Sequence, residues 1–355
     1  MNVLHIFDHN GIGGAQRIIA GIQTKRSDDI FLGLNNKIPN IIQINNVIFP
    51  KSRGKFNLLS VFEISKIIKR NQIEIIHCHL FKSQLLSLII KIFLNNKLFL
   101  IFHEHGEIFL NKKSYNLFLK FSNKFVSFFI SISKATEKLL INYAKIPKNK
   151  ISIIYNPITL FSMEKKICEK LESKKTFTVG FAARLEIRKG WLDFYNVAML
   201  IAKNNANIFF KIAGDGNDSN KLNDLISKDN NPNIIYLGNV RDMVSFYNSL
   251  DCFVIPSHFE PMGLTQLEAQ AMGVPVIASN VPGLNEVIND QVDCLMFEAK
   301  NINDLANKIT RLYNDEKLRK RLVEAGKENV KKYSLDEYTV ELDKLYRRSL
   351  NEKIN

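Results

Sequence analysis

Short apolar runs alternate along this chain with longer segments of helical periodicity. In the first half, the runs that predict strands are residues 2–7, 30–34, 41–44, 74–78, 98–104, 126–132 and 151–155. The segments between them predict helices at residues 13–24, 57–71, 81–95, 112–124 and 133–144. Because neighbouring parallel strands need crossover helices, this order indicates a doubly wound α/β sheet.

The same alternation restarts in the second half. Residues 157–176 interrupt it with a charged stretch without strand character, which we interpret as a linker between two domains. Beyond it, strands are predicted at residues 177–183, 208–213, 234–237, 252–256, 275–279 and 293–297, with helices that include 316–332 and 335–350. The sequence therefore predicts two Rossmann-like domains in tandem, residues 1–160 and 161–335.

The excess positive charge lies in the first half of the chain. Residues 1–160 hold 22 Lys and Arg against 8 Asp and Glu, which accounts for the whole formal net charge of +14. Two interpretations remain open: a surface that meets an anionic partner such as a membrane face, or a lysine-rich solvated surface. No nucleic-acid-binding motif accompanies the charge, so we expect no nucleic-acid partner.

Other features of the sequence bear on location. The longest apolar run, Leu85–Leu94, contains Lys91 and is shorter than the roughly 20 residues that span a bilayer. The first residues lack the pattern of a signal peptide, and the four cysteines show no paired spacing for zinc or redox chemistry. We therefore expect a cytoplasmic protein that touches a membrane, if at all, as a peripheral protein on its inner face.

One strand–helix–strand unit, Phe253–Ser279, places polar residues just after a strand, where α/β sheets bind ligands. Its helix is expected to start near Gly263, so that the backbone N–H groups of residues 262–265 can bind an anion. Glu260 lies in the turn, and Glu268 lies in the helix among apolar neighbours, where a carboxylate needs hydrogen-bond donors. Sugar hydroxyls would supply such donors, and a solvated surface glutamate is the alternative.

A glycine-rich turn follows the first predicted strand and opens a helix. Gly11, Gly13 and Gly14 would let a phosphate or a sugar lie against the backbone. Gln16 stands where a dinucleotide-binding loop has its third glycine. The turn is therefore a weak indication of a ligand site, and it argues against a dehydrogenase.

Two more turns follow predicted strands in the second half. Arg184 and Lys189 can hold a diphosphate from two directions, Arg184 as a fork and Lys189 as a point charge. The turn Gly214–Gly216 indicates a backbone that passes close to another group. A solvated basic loop and an ordinary tight turn are the respective alternatives.

Histidines mark the end of the fifth predicted strand. His103 and His105 share a face of that strand, and we favour His105 as the residue that points into a cleft because Gly106 starts the loop after it. A metal site formed with the similar pair at His77 and His79 is an alternative, but no Asp-x-Asp or His-Glu-x-x-His motif accompanies it. A hydrogen-bonded core histidine is the other alternative, and we expect no metal.

Together these motifs resemble the family 4 retaining glycosyltransferases of GT-B fold. The resemblance covers nearly the whole chain and is carried by His258–Ala269, Ala182–Leu185, Lys189–Gly190, Gly214–Gly216, Gly13–Gly14, Glu104–Gly106, Ser131–Ser133 and Asn156–Pro157. It departs from the usual pattern at Met262 and Ala183, neither of which has a charged role. It implies two Rossmann-like domains that face each other across a cleft, with a C-terminal helix, residues 336–355, that crosses back to the N-terminal domain.

The resemblance also implies roles for individual residues. Glu268 is expected to bind the ribose of the donor, and Glu260 to face the transferred hexose. Arg184 and Lys189 are expected to contact the diphosphate, and His105 to face the donor sugar, with His103 as second choice. The donor-binding set further includes Gly13, Gly14, Gly214, Gly216, Pro261, Met262, Gly263 and Leu264.

The implied activity is the retaining, metal-independent transfer of a hexose-type sugar from a nucleoside diphosphate sugar, without a further cofactor. The acceptor is expected to be a glycan or a lipid-linked molecule of bacterial surface polysaccharide assembly, namely lipopolysaccharide, capsule or O-antigen. The predicted helix 112–124, with lysines among Tyr115, Phe118 and Phe121, either contacts an anionic membrane or simply covers the sheet. Alternatives are a nucleotide-sugar epimerase of the same fold and a non-catalytic carbohydrate-binding homologue.

Overall fold

The chain divides into two compact units, each built on a parallel sheet. The computed structural model describes residues 1–9, 14–35, 44–50, 58–94, 98–106, 112–158 and 176–351. One unit comprises Met1–Thr159 and Ser334–Asn355, and the other comprises Leu160–Tyr333. The predicted α/β fold is confirmed. Gly13, most of the predicted linker and the predicted strand at 41–44, except Ile44, lie outside the described residues.

The first unit has its strands in the spatial order β2-β1-β3-β4-β5-β6. They are β1 (Val3–Phe7), β2 (Ile30–Gly33), β3 (Ile75–His79), β4 (Phe99–Glu104), β5 (Phe128–Ser131) and β6 (Ile151–Ile153). The helices that connect them are α1 (Gly14–Lys25), α2 (Leu58–Arg70), α3 (Phe81–Leu94), α4 (Lys113–Ser122) and α5 (Lys134–Ala144). Every residue of β1 and β3 is buried, because parallel strands have both faces covered by helices.

The second unit has the order β12-β11-β10-β7-β8-β9. Its strands are β7 (Phe177–Ala182), β8 (Ile208–Ala213), β9 (Ile234–Tyr236), β10 (Cys252–Ile255), β11 (Val276–Ser279) and β12 (Leu295–Phe297). Its helices are α6 (Trp191–Ala202), α7 (Ser219–Asp229), α8 (Met243–Asn248), α9 (Thr265–Ala271), α10 (Ile302–Asn314) and α11 (Glu316–Val330). Because β7 pairs with both β8 and β10, the strand order reverses between β7 and β10, and this reversal is where such sheets bind ligands.

The last helix, α12 (Leu335–Asn351), belongs to the first unit although it follows the second in the chain. Its apolar face packs into a core with β1 and α1, through Tyr338, Leu342, Leu345 and Tyr346. Ion pairs with residues at the end of α1, among them Lys25 with Asp336 at 2.6 Å, lie beside this contact. The chain therefore returns to complete a core that its first residues begin.

The helices of the described residues differ in length and in apolar content. The most apolar of the longer ones in the first unit, α3, has 14 residues and contains Lys91. Among the described residues, no helix has both the length and the apolar composition that crossing a membrane requires.

We predict that Leu342→Ala lowers the free energy of unfolding of the first unit by about 2–5 kcal/mol. Leu342 is fully buried, so its truncation leaves a cavity beneath α12. Hydrogen exchange of the β1 and β3 amides measures this loss, and fluorescence of Trp191, the only tryptophan, follows the second unit separately. The matched control is Val340→Ala, two residues away and 48% exposed, which should change stability by less than about 0.5 kcal/mol. Equal effects of the two variants would contradict the packing of α12.

Candidate active site

The polar residues after β7 and β10 meet at the carboxyl edge of the second sheet. Lys189 Nζ lies 2.6 Å from Glu260 Oε2, and each side chain is only 13% exposed. The hydroxyl of Ser257 donates to the same carboxylate oxygen at 3.2 Å. We call Lys189, Ser257 and Glu260 the carboxyl-edge cluster. It places an ammonium group and a carboxylate side by side at the point where the strand order reverses.

Close contact between two backbone segments holds this cluster together. Gly190 has φ +72°, and a Cβ atom there would lie 1.9 Å from the carbonyl oxygen of Pro256, so only glycine fits. The N–H of His258 donates to the carbonyl of Arg188 at 2.8 Å, and the His258 ring lies 2.6 Å from the carboxylate of Asp193. The loop after β7 is thereby fixed against the loop after β10.

The Gly214–Gly216 turn lies against the same loop after β7. Gly214 has φ +132°, and a Cβ atom there would lie 1.8 Å from the carbonyl oxygen of Ala183. The close approach predicted for this turn is thus made to the protein's own backbone. Arg184, the next residue, is 69% exposed and pairs with Glu186 at 2.9 Å. The structure therefore brings Lys189 to Glu260 and leaves Arg184 on the surface of the same loop.

The helix after Glu260 starts later than the sequence predicts. α9 begins at Thr265, because Gly263 has φ +73° and its left-handed conformation cannot be part of a helix. The amide of Gln266 donates to the carbonyls of Met262 and Gly263 and secures this turn. The expectation that the helix starts near Gly263 was wrong by two residues, and residues 262 and 263 lie in the turn before the helix.

Glu268 is buried in α9, with 4% of its surface exposed. The hydroxyl of Tyr247 donates to its Oε2 at 3.0 Å. Tyr247 lies in α8, the preceding crossover helix, and is itself fully buried. The sequence indicated that this carboxylate needs a donor but missed Tyr247, because no local pattern links α8 to α9.

The candidate histidines of the first unit form a larger group than expected. The four candidates, His77, His79, His103 and His105, lie together with His5, which the sequence did not indicate, on β1, on β3 and at the end of β4, and we call these five residues the histidine layer. The strand register pairs His5 with His77 and His79 with His103. Within the layer, the ring centroids of His103 and His105 are 3.8 Å apart. Gly14, at the start of α1, belongs to the same unit, and among the described residues beyond its own neighbourhood in the chain no atom lies within 4 Å of the place its Cβ would take.

The histidine layer is electrically neutral at physiological pH. Burial lowers the pKa of His5 and places the pKa values of His77, His79 and His103 well below 6.5. Burial also lowers the pKa of His105 to about 3. His105 therefore offers a neutral imidazole, with one N–H and one lone pair.

A buried carboxyl group lies on the opposite face of β4. Burial raises the pKa of Glu104 to about 7, and its oxygens accept hydrogen bonds from Tyr115 and Gln84 at 2.8–3.0 Å. Tyr115 is 4% exposed, and Phe118 packs against the core of the unit. For these two aromatic side chains the second alternative holds, because α4 turns them towards the sheet.

Comparisons with known proteins agree with this architecture. Residues 162–329 match the family model of glycosyl transferases group 1, and residues 26–160 match that of Glycosyltransferase Family 4. The chain is similar in fold to the Anabaena protein HepE, solved in complex with UDP-glucose, with a TM-score of 0.81 and 18% identity over 98% of this chain and 100% of that one.

Two curated relatives are similar in sequence. A capsular polysaccharide biosynthesis glycosyltransferase of Staphylococcus aureus is 30% identical over 63% of this chain and 62% of its own length. The N,N'-diacetylbacillosaminyl-diphospho-undecaprenol alpha-1,3-N-acetylgalactosaminyltransferase of Campylobacter jejuni is 31% identical over 66% of this chain and 63% of its own length. The aligned regions thus span less than two thirds of either relative.

We predict that the first unit loses stability as the pH falls below 6.5. The folded histidine layer stays neutral, whereas unfolded histidines take up protons near the ordinary pKa of 6.5. As the pH falls below 6.5, each histidine lowers the free energy of unfolding by up to about 1.4 kcal/mol per pH unit. Glu104 has the opposite sign, since its raised pKa costs stability as the pH rises from 4.5 to about 7. As the pH falls, the stability lost through five histidines exceeds the stability gained through this one carboxyl group.

The free energy of unfolding of the first unit is measured at pH 7.5, 6.5 and 5.5, with hydrogen exchange of the β1 and β3 amides as the probe. His77→Phe should reduce the change of the free energy of unfolding with pH by the contribution of one histidine. A first unit that keeps or gains stability between pH 7.5 and 5.5 would contradict the neutral histidine layer.

Proposed function

This chain belongs to the glycosyltransferases of the group 1 and family 4 type, and we propose that it transfers a hexose-type sugar from a nucleoside diphosphate sugar to a glycan or lipid-linked acceptor. We further propose that transfer retains the anomeric configuration and uses no metal ion. The observation that carries this proposal is the pairing of Lys189 with Glu260 where the strand order of the second sheet reverses.

The second unit offers complementary groups for each part of such a donor. We assign a phosphate oxygen of the donor to Lys189, because its ammonium group is a compact positive charge beside Glu260 at the edge of the sheet. Arg184 is free of tight packing and can approach the diphosphate from the exposed side of the same loop. Two cations directed at the departing nucleotide would stabilise its charge in the transition state.

The carboxylates of Glu260 and Glu268 would accept hydrogen bonds from the hydroxyl groups of the donor. Glu268 has one oxygen bonded to Tyr247, and we assign this carboxylate the two ribose hydroxyls. Glu260 lies beside the phosphate-binding Lys189, where the hexose joins the diphosphate. His105 belongs to the first unit, and we assign it the hydroxyl groups of the transferred sugar.

The acceptor proposal rests on the curated relatives. The name of the Campylobacter jejuni enzyme specifies a sugar acceptor carried on diphospho-undecaprenol, and that of the Staphylococcus aureus protein specifies capsular polysaccharide biosynthesis. We propose that this chain likewise extends a lipid-linked glycan of a bacterial surface polysaccharide, such as capsule or O-antigen, in the cytoplasm. An acceptor of this kind would bring the enzyme to the inner face of the membrane.

The exposed face of α4 supports a peripheral membrane contact. Leu117 and Phe121 are 68% and 51% exposed, one helical turn apart. Lys113, Lys120 and Lys124 flank them and are also exposed. Apolar side chains within a basic border suit an interface with anionic lipids, and they carry this contact in place of Tyr115 and Phe118.

We predict that the correct nucleoside diphosphate sugar stabilises the second unit by about 2.7 kcal/mol when it is present at a hundred times its Kd. Thermal unfolding followed by Trp191 fluorescence, over a panel of UDP, GDP and ADP sugars, identifies this donor. Glu268→Gln and Lys189→Met should lose most of the shift and lower kcat/KM by about 100-fold or more. Both variants keep the size of the side chain, and NMR of the product tests retention.

The matched controls are Glu324→Gln and Lys317→Met, which make the same changes on the exposed surface of α11. Both controls should behave as the wild type does. Full stabilisation of Glu268→Gln by the donor would contradict the assignment of Glu268 to the ribose. The absence of any stabilising donor in the panel would contradict the proposed function.

We predict that the protein floats with vesicles of anionic lipid, in a salt-sensitive way, and remains unbound with purely zwitterionic vesicles. Combined Lys113→Glu and Lys120→Glu should weaken binding at least tenfold, because each basic residue near an anionic surface contributes about 1 kcal/mol. Combined Lys317→Glu and Arg321→Glu on α11 reverse two charges elsewhere and should leave binding unchanged. Flotation that is absent, or that ignores salt, contradicts this surface.

A further inference from the structure

A continuous line of side chains crosses the first sheet to His105. It begins at Asp29, between α1 and β2, and continues through His5 on β1 and His79 on β3. The line follows from the parallel register, which aligns these strands so that alternate residues share one face. His5 also stacks on Phe31, with ring centroids 4.7 Å apart, and this contact fixes the plane of its ring.

Each step of this line is a hydrogen bond. His5 Nε2 lies 3.0 Å from Asp29 Oδ2. His5 Nδ1 lies 3.3 Å from His79 Nε2, and His79 Nδ1 lies 3.1 Å from His105 Nε2. Both ring nitrogens of His5 and of His79 are thereby engaged. We call Asp29, His5, His79 and His105 the histidine chain.

The carboxylate at one end sets the direction of every bond. Burial opposes the ionisation of Asp29, but hydrogen bonds from His5 and Arg26, together with the charge of Arg26, outweigh burial and lower its pKa. Arg26 donates to both carboxylate oxygens, from Nε at 2.6 Å and from a terminal nitrogen at 3.1 Å. Because an ionised carboxylate only accepts, His5 has to donate its Nε2–H to Asp29.

The remaining bonds then follow one from another. A neutral imidazole carries one N–H and one lone pair, and these imidazoles are neutral because they are buried. His5 therefore accepts at Nδ1 from the Nε2–H of His79. His79 in turn accepts at Nδ1 from the Nε2–H of His105. This order leaves the lone pair of His105 on Nδ1, an atom without a hydrogen-bond partner among the described residues.

We propose that Asp29, His5 and His79 are positioning residues that hold His105 in one tautomer, with its proton on Nε2 and its lone pair on Nδ1. The role of this tautomer in transfer rests on the proposed function of His105. An imidazole fixed in this way has a buried Nδ1 that can accept a hydrogen bond and cannot donate one.

A metal site is the competing interpretation of the same residues. The ring nitrogens of His5, His77 and His79 lie within 4.8 Å of one another, as do those of His79, His103 and His105. A divalent cation here would be surrounded by neutral imidazoles, four of the five histidines being fully buried, and the carboxylate of Asp29 is already balanced by Arg26. Burying such a charge without an anionic ligand is costly, so the geometry favours the hydrogen-bonded chain.

The wild-type protein alone can decide between these interpretations. NMR of protein labelled with 15N-histidine distinguishes protonated from unprotonated ring nitrogens, and His105→Asn assigns the His105 signals. We expect a protonated Nε2 and an unprotonated Nδ1 for both His79 and His105, unchanged when one equivalent of Zn²⁺ is added. A protonated Nδ1 on His105 overturns the proposal, and so does a Zn²⁺-induced shift of the His79 and His105 signals, which would indicate a metal site.

Breaking the histidine chain at His5, away from His105, provides the second test. His5→Phe keeps a ring against Phe31 but removes the acceptor for His79, so both tautomers of His79 and His105 should become populated. His77→Phe is the matched control, because His77 is as buried but bonds Tyr346 at 2.7 Å and lies outside the chain. This control should keep the wild-type tautomers.

Activity then tests what the tautomer does. His5→Phe should lower kcat by about two- to tenfold, in proportion to the remaining fraction of the correct tautomer, and His77→Phe should not. A mixed tautomer with unchanged kcat would overturn the positioning role. The labelled spectra need no substrate, so a failure of the proposed transfer leaves the test of the histidine chain intact.

Discussion

The close contact between Gly190 and the carbonyl of Pro256 is the constraint on which the second unit's site depends. It brings the loop after β7 against the loop after β10, and so places Lys189 within 2.6 Å of Glu260. A second contact of the same kind lies nearby, where a Cβ atom on Gly283 would come within 2.0 Å of the carbonyl oxygen of Glu260. The position of the carboxylate is thus set by main-chain packing on two sides, and its side-chain hydrogen bonds act within that frame.

Local sequence patterns predicted most of the described strands and helices, because a parallel sheet leaves apolar runs and amphipathic crossovers that are easy to distinguish. They could not predict the Lys189–Glu260 pair or the Tyr247–Glu268 hydrogen bond, because both depend on which strands and helices become neighbours in space. The start of α9 was misplaced because Gly263 takes a left-handed conformation. The two alternatives for α4 stayed open because this helix carries aromatic residues on both of its faces, and periodicity alone does not say which face is buried.

The two units place their polar groups in different environments. In the second unit, the charges of Lys189 and Glu260 lie at the edge of the sheet, where each neutralises the other and both retain some contact with water. In the first unit, polar rings lie inside the sheet layer, and burial keeps them uncharged. His-x-His patterns on β3 and β4 were visible in the sequence. The participation of His5 was not, since only the register of β1 against β3 brings it into line.

The main-chain contacts around Glu260 also bear on how such an enzyme can diverge. Gly190 and Gly283 contact carbonyl groups, which every amino acid possesses, so the residues whose carbonyls they touch can change without loss of the turn. Side chains near these turns, such as those of Met262 and His258, can therefore change while the glycines keep the two loops in contact. The geometry of the carboxyl-edge cluster therefore depends on two glycines and on main-chain atoms more than on the identity of the surrounding side chains.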